Sequence, residues 1–175
     1  VDDRSQGSHQ NLALVLSASN RFEAAIPHFR QAIDSSSEPR FRSAYIASLL
    51  ATKQFGVAKS ELEIALSLNP QDFSSSLALA WLLATCPNDE IRDGARALEL
   101  ATRLHAGRGA KDPLTLDLLG AAQAESGDYS AAQKSLGAAL KQVENQNPAA
   151  QQAFQQRLES YRQSQAHRDA DGQYP

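Results

Sequence analysis

LLGAAQAESGDYSAAQKSLGAAL, residues 118–140, is the stretch whose reading decides the fold. Alanine, leucine and glutamine dominate both halves, and all three favour helix. Between them Ser126-Gly127-Asp128 makes a break. Gly127 suits the left-handed stop of a first helix, Asp128 offers a side-chain oxygen to start a second, and Tyr129 fills the seam. The stretch therefore predicts a helical hairpin. Gly120 and Ala132 are small because two helix backbones cross closely there.

The same arrangement recurs along the chain. Pro39, Pro70, Pro113 and Pro148 close amphipathic stretches, and each unit has an inner break, at 19–21, 53–56, 86–94 and 126–128. The first unit has Leu12-Ala13, Leu16, Ala25 and Phe29; the second has Tyr45-Ile46, Leu49, Ala58 and Leu62. The third has Leu79-Ala80, Leu83, Ala97 and Ala101, and the fourth Leu119-Gly120, Gln123, Ala132 and Leu136. A period of this length marks a repeat architecture. Asn20 takes the stop position in the first unit, since asparagine tolerates the left-handed conformation.

This pattern resembles the tetratricopeptide repeat, whose signature is a Leu-Gly pair, an aromatic three residues on, then Ala-x-x-x-Phe and a closing Pro. The fourth unit is the best match; the others lack the Leu-Gly pair, and no unit has the aromatic after it. The resemblance implies an all-α fold, an α-solenoid winding as a right-handed superhelix of about four hairpins, at 6–38, 39–72, 73–112 and 113–147. The extended turn after Trp81 and the closing RLESYRQ further resemble the C-terminal repeat region of multi-repeat bacterial proteins. After Pro148, Phe154, Leu158 and Tyr161 share one face of a segment with Gln and Arg elsewhere, which predicts a capping helix over 148–167. Residues 1–5 and 168–175 are expected to be disordered.

Composition narrows the function classes. The net charge is −3 with both signs interspersed, so neither nucleic acid nor an anionic membrane surface is expected as partner. LALAWLLA, residues 77–84, is the longest apolar run and far shorter than the roughly 18 residues of a membrane span. It predicts a buried helix instead of membrane insertion. One cysteine leaves the compartment open between cytoplasm and periplasm. A start at Val1, with no methionine anywhere, reads as an excised or processed piece.

Residues 86–94, CPNDEIRDG, look at first like a catalytic loop. Spacing argues for a turn. From the small residue of the first helix to the alanine of the second is twelve positions in three units (Ala13 to Ala25, Ile46 to Ala58, Gly120 to Ala132) and seventeen in the third, Ala80 to Ala97. The loop is thus a five-residue insertion. A nucleophilic Cys86 would need a base, and His9, His28 and His105 are not placed near it by sequence; a buried structural thiol is the simpler reading. Asp89, Glu90, Arg92 and Asp93 lack the alternating ligands and the glycine of a calcium loop. The acidic residues instead predict caps, with Asp93 starting a helix near Gly94. Scattered histidines argue against zinc, and neither a phosphate loop nor a Gly-x-Ser-x-Gly elbow occurs. No catalysis, metal or cofactor is expected.

The resemblance then implies a binding surface. First helices of such hairpins line a concave groove that holds a peptide or helix of a partner protein. By that geometry the lining is Gln10, Leu14 and Ser17; Ser43, Ala47 and Leu50; Leu77, Trp81 and Ala84; Asp117, Ala121 and Glu125. Chaperone-binding relatives clamp a C-terminal carboxylate with lysines and asparagines of these helices; here the helices have no lysine, and Asn11 alone is no clamp. An apolar or amphipathic segment is expected, held by Leu14, Leu50, Leu77 and Trp81, with Asp117 and Glu125 orienting a basic neighbour. Core packing against a neighbouring hairpin is the competing reading of Trp81. The alternative function is a structural or self-associating segment, a homo-oligomer, within a larger multidomain protein.

Overall fold

A computed structural model describes residues 3–33, 39–108, 111–143 and 147–169. Among these are nine helices and no strand: α1 (Asp3–Ala18), α2 (Phe22–Ala32), α3 (Pro39–Ala51), α4 (Phe55–Leu68), α5 (Phe73–Thr85), α6 (Gly94–Arg108), α7 (Pro113–Glu125), α8 (Tyr129–Val143) and α9 (Pro148–Arg162). Pro39, Pro113 and Pro148 each open a helix, where the missing N–H costs nothing. Four helix starts are capped by an acidic or amide side chain. Asp72 accepts from the Ser75 amide at 2.7 Å, Asp93 from Arg96 at 2.9 Å, Asp128 from Ala131 at 2.9 Å and Asn147 from Ala150 at 3.1 Å. Each such cap contributes about 1 kcal/mol.

The described residues divide into two compact units, one of residues 3–75 and one of residues 76–169. In the first, α1 packs on α2 and α3, α2 on α3, and α3 on α4. Ala13, Leu16, Ala25, Phe29, Tyr45, Leu49, Ala58 and Leu62 are buried, the positions at which the repeat pattern placed them. Leu12 is not: it is 44 % exposed. The Phe29 ring meets Phe41 edge-on at 5.0 Å and stacks on Tyr45 at 5.3 Å.

In the second unit α7 packs on α6 and α8, and α8 on α9. Leu116, Ala132, Leu136, Ala139, Phe154 and Tyr161 make one buried cluster. A methyl group at Gly120 would lie 3.3 Å from the Ala132 carbonyl oxygen, which is why this crossing takes glycine. Gly127 has φ +86°, as its place at the helix stop requires.

The stops of the first two hairpins use Asn20 (φ 56°) and Lys53 (φ 58°). Lysine is a poor occupant of that region, where its Cβ crowds the following carbonyl at a cost of about 1–2 kcal/mol. Glycine there loses part of the gain to chain entropy, about 0.5–1 kcal/mol. Lys53→Gly is therefore expected to stabilise the first unit by ~0.5–1 kcal/mol, read as a higher urea midpoint by circular dichroism; an unchanged or lower midpoint would contradict the strain.

Candidate functional site

The twelve residues expected to line a groove fall in both units. In the first, Ser43 and Ala47 are exposed on α3, Gln10, Leu14 and Ser17 are half-buried on α1, and Leu50 is buried. Ser17 Oγ and Ser48 Oγ, 3.1 Å apart, tie α1 to α3. In the second unit Leu77, Trp81, Ala84, Asp117 and Ala121 are all buried, and Glu125 is half-buried. What covers Trp81 includes the chain's own C-terminal portion.

Arg157 of α9 makes the first part of that cover. Its guanidinium lies 5.5 Å from the Trp81 ring centroid and 5.3 Å from that of Phe154, and donates to Asp117 Oδ2 at 2.6 Å. Asp117 Oδ1, Arg157 Nε and the Tyr161 hydroxyl are buried without a hydrogen-bond partner. Arg157 thus lies in the packed side of α9, among Phe154, Leu158 and Tyr161; the sequence reading, which set the arginines of this segment off that face, is corrected here. A signal was present, since an arginine three residues after Phe154 shares its helix face.

The second part of the cover is residues 163–169. At the end of α9, Ser164 adopts φ 57° and Gln165 donates its amide to Ser160 at 2.9 Å, turning the chain back. The segment then runs without secondary structure to Asp169, whose amide donates to the Thr85 carbonyl at 2.9 Å. Trp81 Nε1 approaches Asp169 Oδ2 at 3.4 Å, and the His167 and Trp81 rings lie 6.4 Å apart. Arg168 pairs with Glu125 Oε2 at 2.7 Å, while Arg92 holds Glu125 Oε1 at 2.8 Å. Asp117 and Glu125 therefore meet basic groups of their own chain. Arg168 and Asp169, placed by sequence in the disordered tail, are held here; residues 170–175 of that expected tail lie outside the described residues.

Residues 7–39 match the family described as Tetratricopeptide repeat. Two solved structures of MamA, a tetratricopeptide-repeat protein, share the fold over nearly the whole chain. "MamA RS-1 ArsTM double mutant" is 14 % identical with a TM-score of 0.67, over 93 % of this chain and 97 % of that one. "MamA MSR-1 C2" is 15 % identical with a TM-score of 0.65, over 93 % and 91 %. The chain has the tetratricopeptide-repeat fold. No curated protein matches it significantly.

Two titratable groups in the second unit of this tetratricopeptide-repeat fold act on stability in opposite senses. Burial raises the Asp117 carboxyl to about 7, against the pull of Arg157. One ion pair does not offset that burial, because Oδ1 has no partner. Burial, with Arg157 next, holds the His167 imidazole down at about 4. From pH 4 to 7 folded Asp117 keeps a proton that the unfolded chain releases, so its contribution falls as pH rises. Between pH 4 and 6.5 the unfolded chain's His167 binds a proton that the folded one does not, so its contribution rises. The two slopes oppose each other over that window. His167→Gln is expected to give a urea midpoint that falls from pH 4 to 7, and Asp117→Asn one that rises from pH 4 to 6.5. Parallel profiles for the parent and both variants would contradict this assignment.

The loop at 86–94 is a turn that the second unit holds in place. Arg92 bonds Asp89 and Glu125 and donates to the Cys86 carbonyl at 2.7 Å, and the Asp93 amide donates to Leu83 at 3.0 Å. Asn88 Oδ1 accepts from the Glu90 amide at 3.0 Å. Cys86 is fully buried. His9 and His28 face each other with Nδ1 atoms 2.8 Å apart, and His105 Nδ1 lies 3.1 Å from Thr115 Oγ1. Among the described residues no group of three or more His, Cys, Asp or Glu could hold a metal ion, and no helix is long and apolar enough to cross a membrane.

Proposed function

We propose that the protein is a non-catalytic protein-interaction module of four tetratricopeptide repeats, holding a peptide or helix of a partner protein on the faces of its first helices. Those faces carry Gln10, Leu14, Ser17, Ser43, Ala47 and Leu50 in the first unit and Leu77, Trp81, Ala84, Asp117, Ala121 and Glu125 in the second. One observation carries the reading: residues 167–169 lie as an irregular peptide across α5 and α7, bonded to Thr85 and Glu125. A surface that binds such a segment of its own chain has the donors, acceptors and apolar area to bind another's.

Selection of a displayed random-peptide library on the protein tests this. Peptides that bind the first unit are expected to bind Ala47→Arg at least tenfold more weakly, about 1.4 kcal/mol, those that bind the second to lose as much on Glu125→Arg, and all to bind Glu99→Arg on α6 equally well. Failure to enrich any peptide, or binding indifferent to both groove substitutions, would overturn the reading. Self-association is the second reading, favoured by Leu12 and Val15, 44 % and 62 % exposed one turn apart on α1. Sedimentation would then show a dimer that Val15→Glu dissociates; a parent monomeric at all concentrations rejects it.

A further inference from the structure

We infer that Trp81, Thr85 and Glu125 form a receptor for an extended partner segment bearing arginine followed directly by aspartate, and that the chain's own residues 167–169 are its resident competitor. The inference rests on the peptide-holding reading above and adds the chemistry of the ligand and a built-in threshold for its binding.

The contacts define the ligand by side. Successive side chains of an extended segment point in opposite directions. His167 and Asp169 both reach the Trp81 ring, through a 6.4 Å ring approach and a 3.4 Å contact to Nε1, while Arg168 between them reaches Glu125 at 2.7 Å. The Thr85 carbonyl accepts the Asp169 amide, which fixes the register. Charge agrees with the order. Glu125 is already fixed by Arg92 on its other oxygen and takes a cation, whereas the Arg157 guanidinium over Trp81 favours an anion beside the indole. Exchanging arginine and aspartate would put a carboxylate on Glu125 and a cation under Arg157, two repulsive contacts in place of two attractive ones.

The resident segment is held unevenly. The Arg168 side chain is 37 % exposed, so its ion pair is screened by solvent, whereas Asp169 is 8 % exposed and anchored through its amide to Thr85 at 2.9 Å. Tethering a few residues beyond α9 adds an effective concentration on the order of mM to these contacts. A partner segment must outcompete that, so only a tight or locally concentrated partner enters.

The test uses a fluorescein-labelled peptide of sequence Gln-Ala-His-Arg-Asp-Ala, followed by polarisation, with the full chain and its Arg168→Ala/Asp169→Ala variant. The peptide is expected to bind the variant at least tenfold more tightly than the parent, about 1.4 kcal/mol. Gln-Ala-His-Asp-Arg-Ala is expected to bind the variant at least tenfold more weakly, and Glu125→Arg added to the variant to abolish binding. Equal binding to parent and variant, no binding to either, or indifference to the exchanged order would overturn the inference. The single variant Arg168→Glu, at a partly exposed position, repeats the comparison should the double variant not fold. Library-selected peptides that still need Ala47 or Glu125 while this peptide fails would sink only the inference; loss of both would sink the functional reading as well.

Discussion

Replacing Arg157 with alanine is expected to destabilise the second unit by about 3–5 kcal/mol at pH 8, the usual consequence of stripping the partner from a buried charge. Asp117 is 5 % exposed, its Oδ2 is held by Arg157 at 2.6 Å and its Oδ1 by nothing. Without the guanidinium the carboxylate must either remain ionised in an apolar setting or take up a proton. Because burial already raises its pKa to about 7, acid relieves the defect: the loss should shrink as pH falls toward 5. Arg157→Met combined with Asp117→Leu removes both charges and is expected to be neutral or to stabilise by ~1–4 kcal/mol. Urea unfolding followed by Trp81 fluorescence reads all three proteins. A loss below about 1 kcal/mol for Arg157→Ala, or one equal at pH 5 and pH 8, would show that the pair is effectively solvated.

The first unit should respond most to Phe29→Ala, at about 3–5 kcal/mol. Phe29 is fully buried and its ring meets both Phe41 and Tyr45, so truncation removes apolar burial and leaves a cavity between α2 and α3. Phe29→Leu keeps most of the volume and is expected to cost less than about 1.5 kcal/mol. The comparison separates packing from any change in helix propensity. Circular dichroism against urea measures both variants. Equal losses for the two substitutions would mean that the site collapses around leucine no better than around alanine, and that Phe29 is not the keystone of this unit.

What the sequence made legible was local. Gly127 and Asn20 announced left-handed stops, and Asp93 and Asp128 announced helix starts, because each acts on backbone groups within three or four residues. The five-residue insertion at 86–94 followed from counting between small residues that mark a helix crossing, and Gly120 against Ala132 shows why that counting works. Lys53 was illegible as a stop because lysine has no chemical preference for positive φ; its neighbours impose the conformation. Long-range pairing was equally hidden. Arg157 finds Asp117 forty residues away and Asp169 finds Trp81 eighty-eight away, and no periodicity within one helix encodes such partners. Residues 163–167 read as the end of the capping helix, which stops at Arg162, and Arg168 and Asp169 read as a frayed end for the same reason: the bonds of the last two are to Glu125 and Thr85, far back in the chain.

Trp81 is the sole tryptophan, so one optical measurement reaches the central claim that the α5 and α7 face holds a peptide drawn from the chain itself. Acrylamide quenching of its fluorescence should be weak in the parent, where the ring is 3 % exposed, and should increase severalfold in Arg168→Ala/Asp169→Ala with helix content unchanged. Equal quenching in the two folded proteins would contradict it, because the segment would then not be covering the surface it is claimed to occupy.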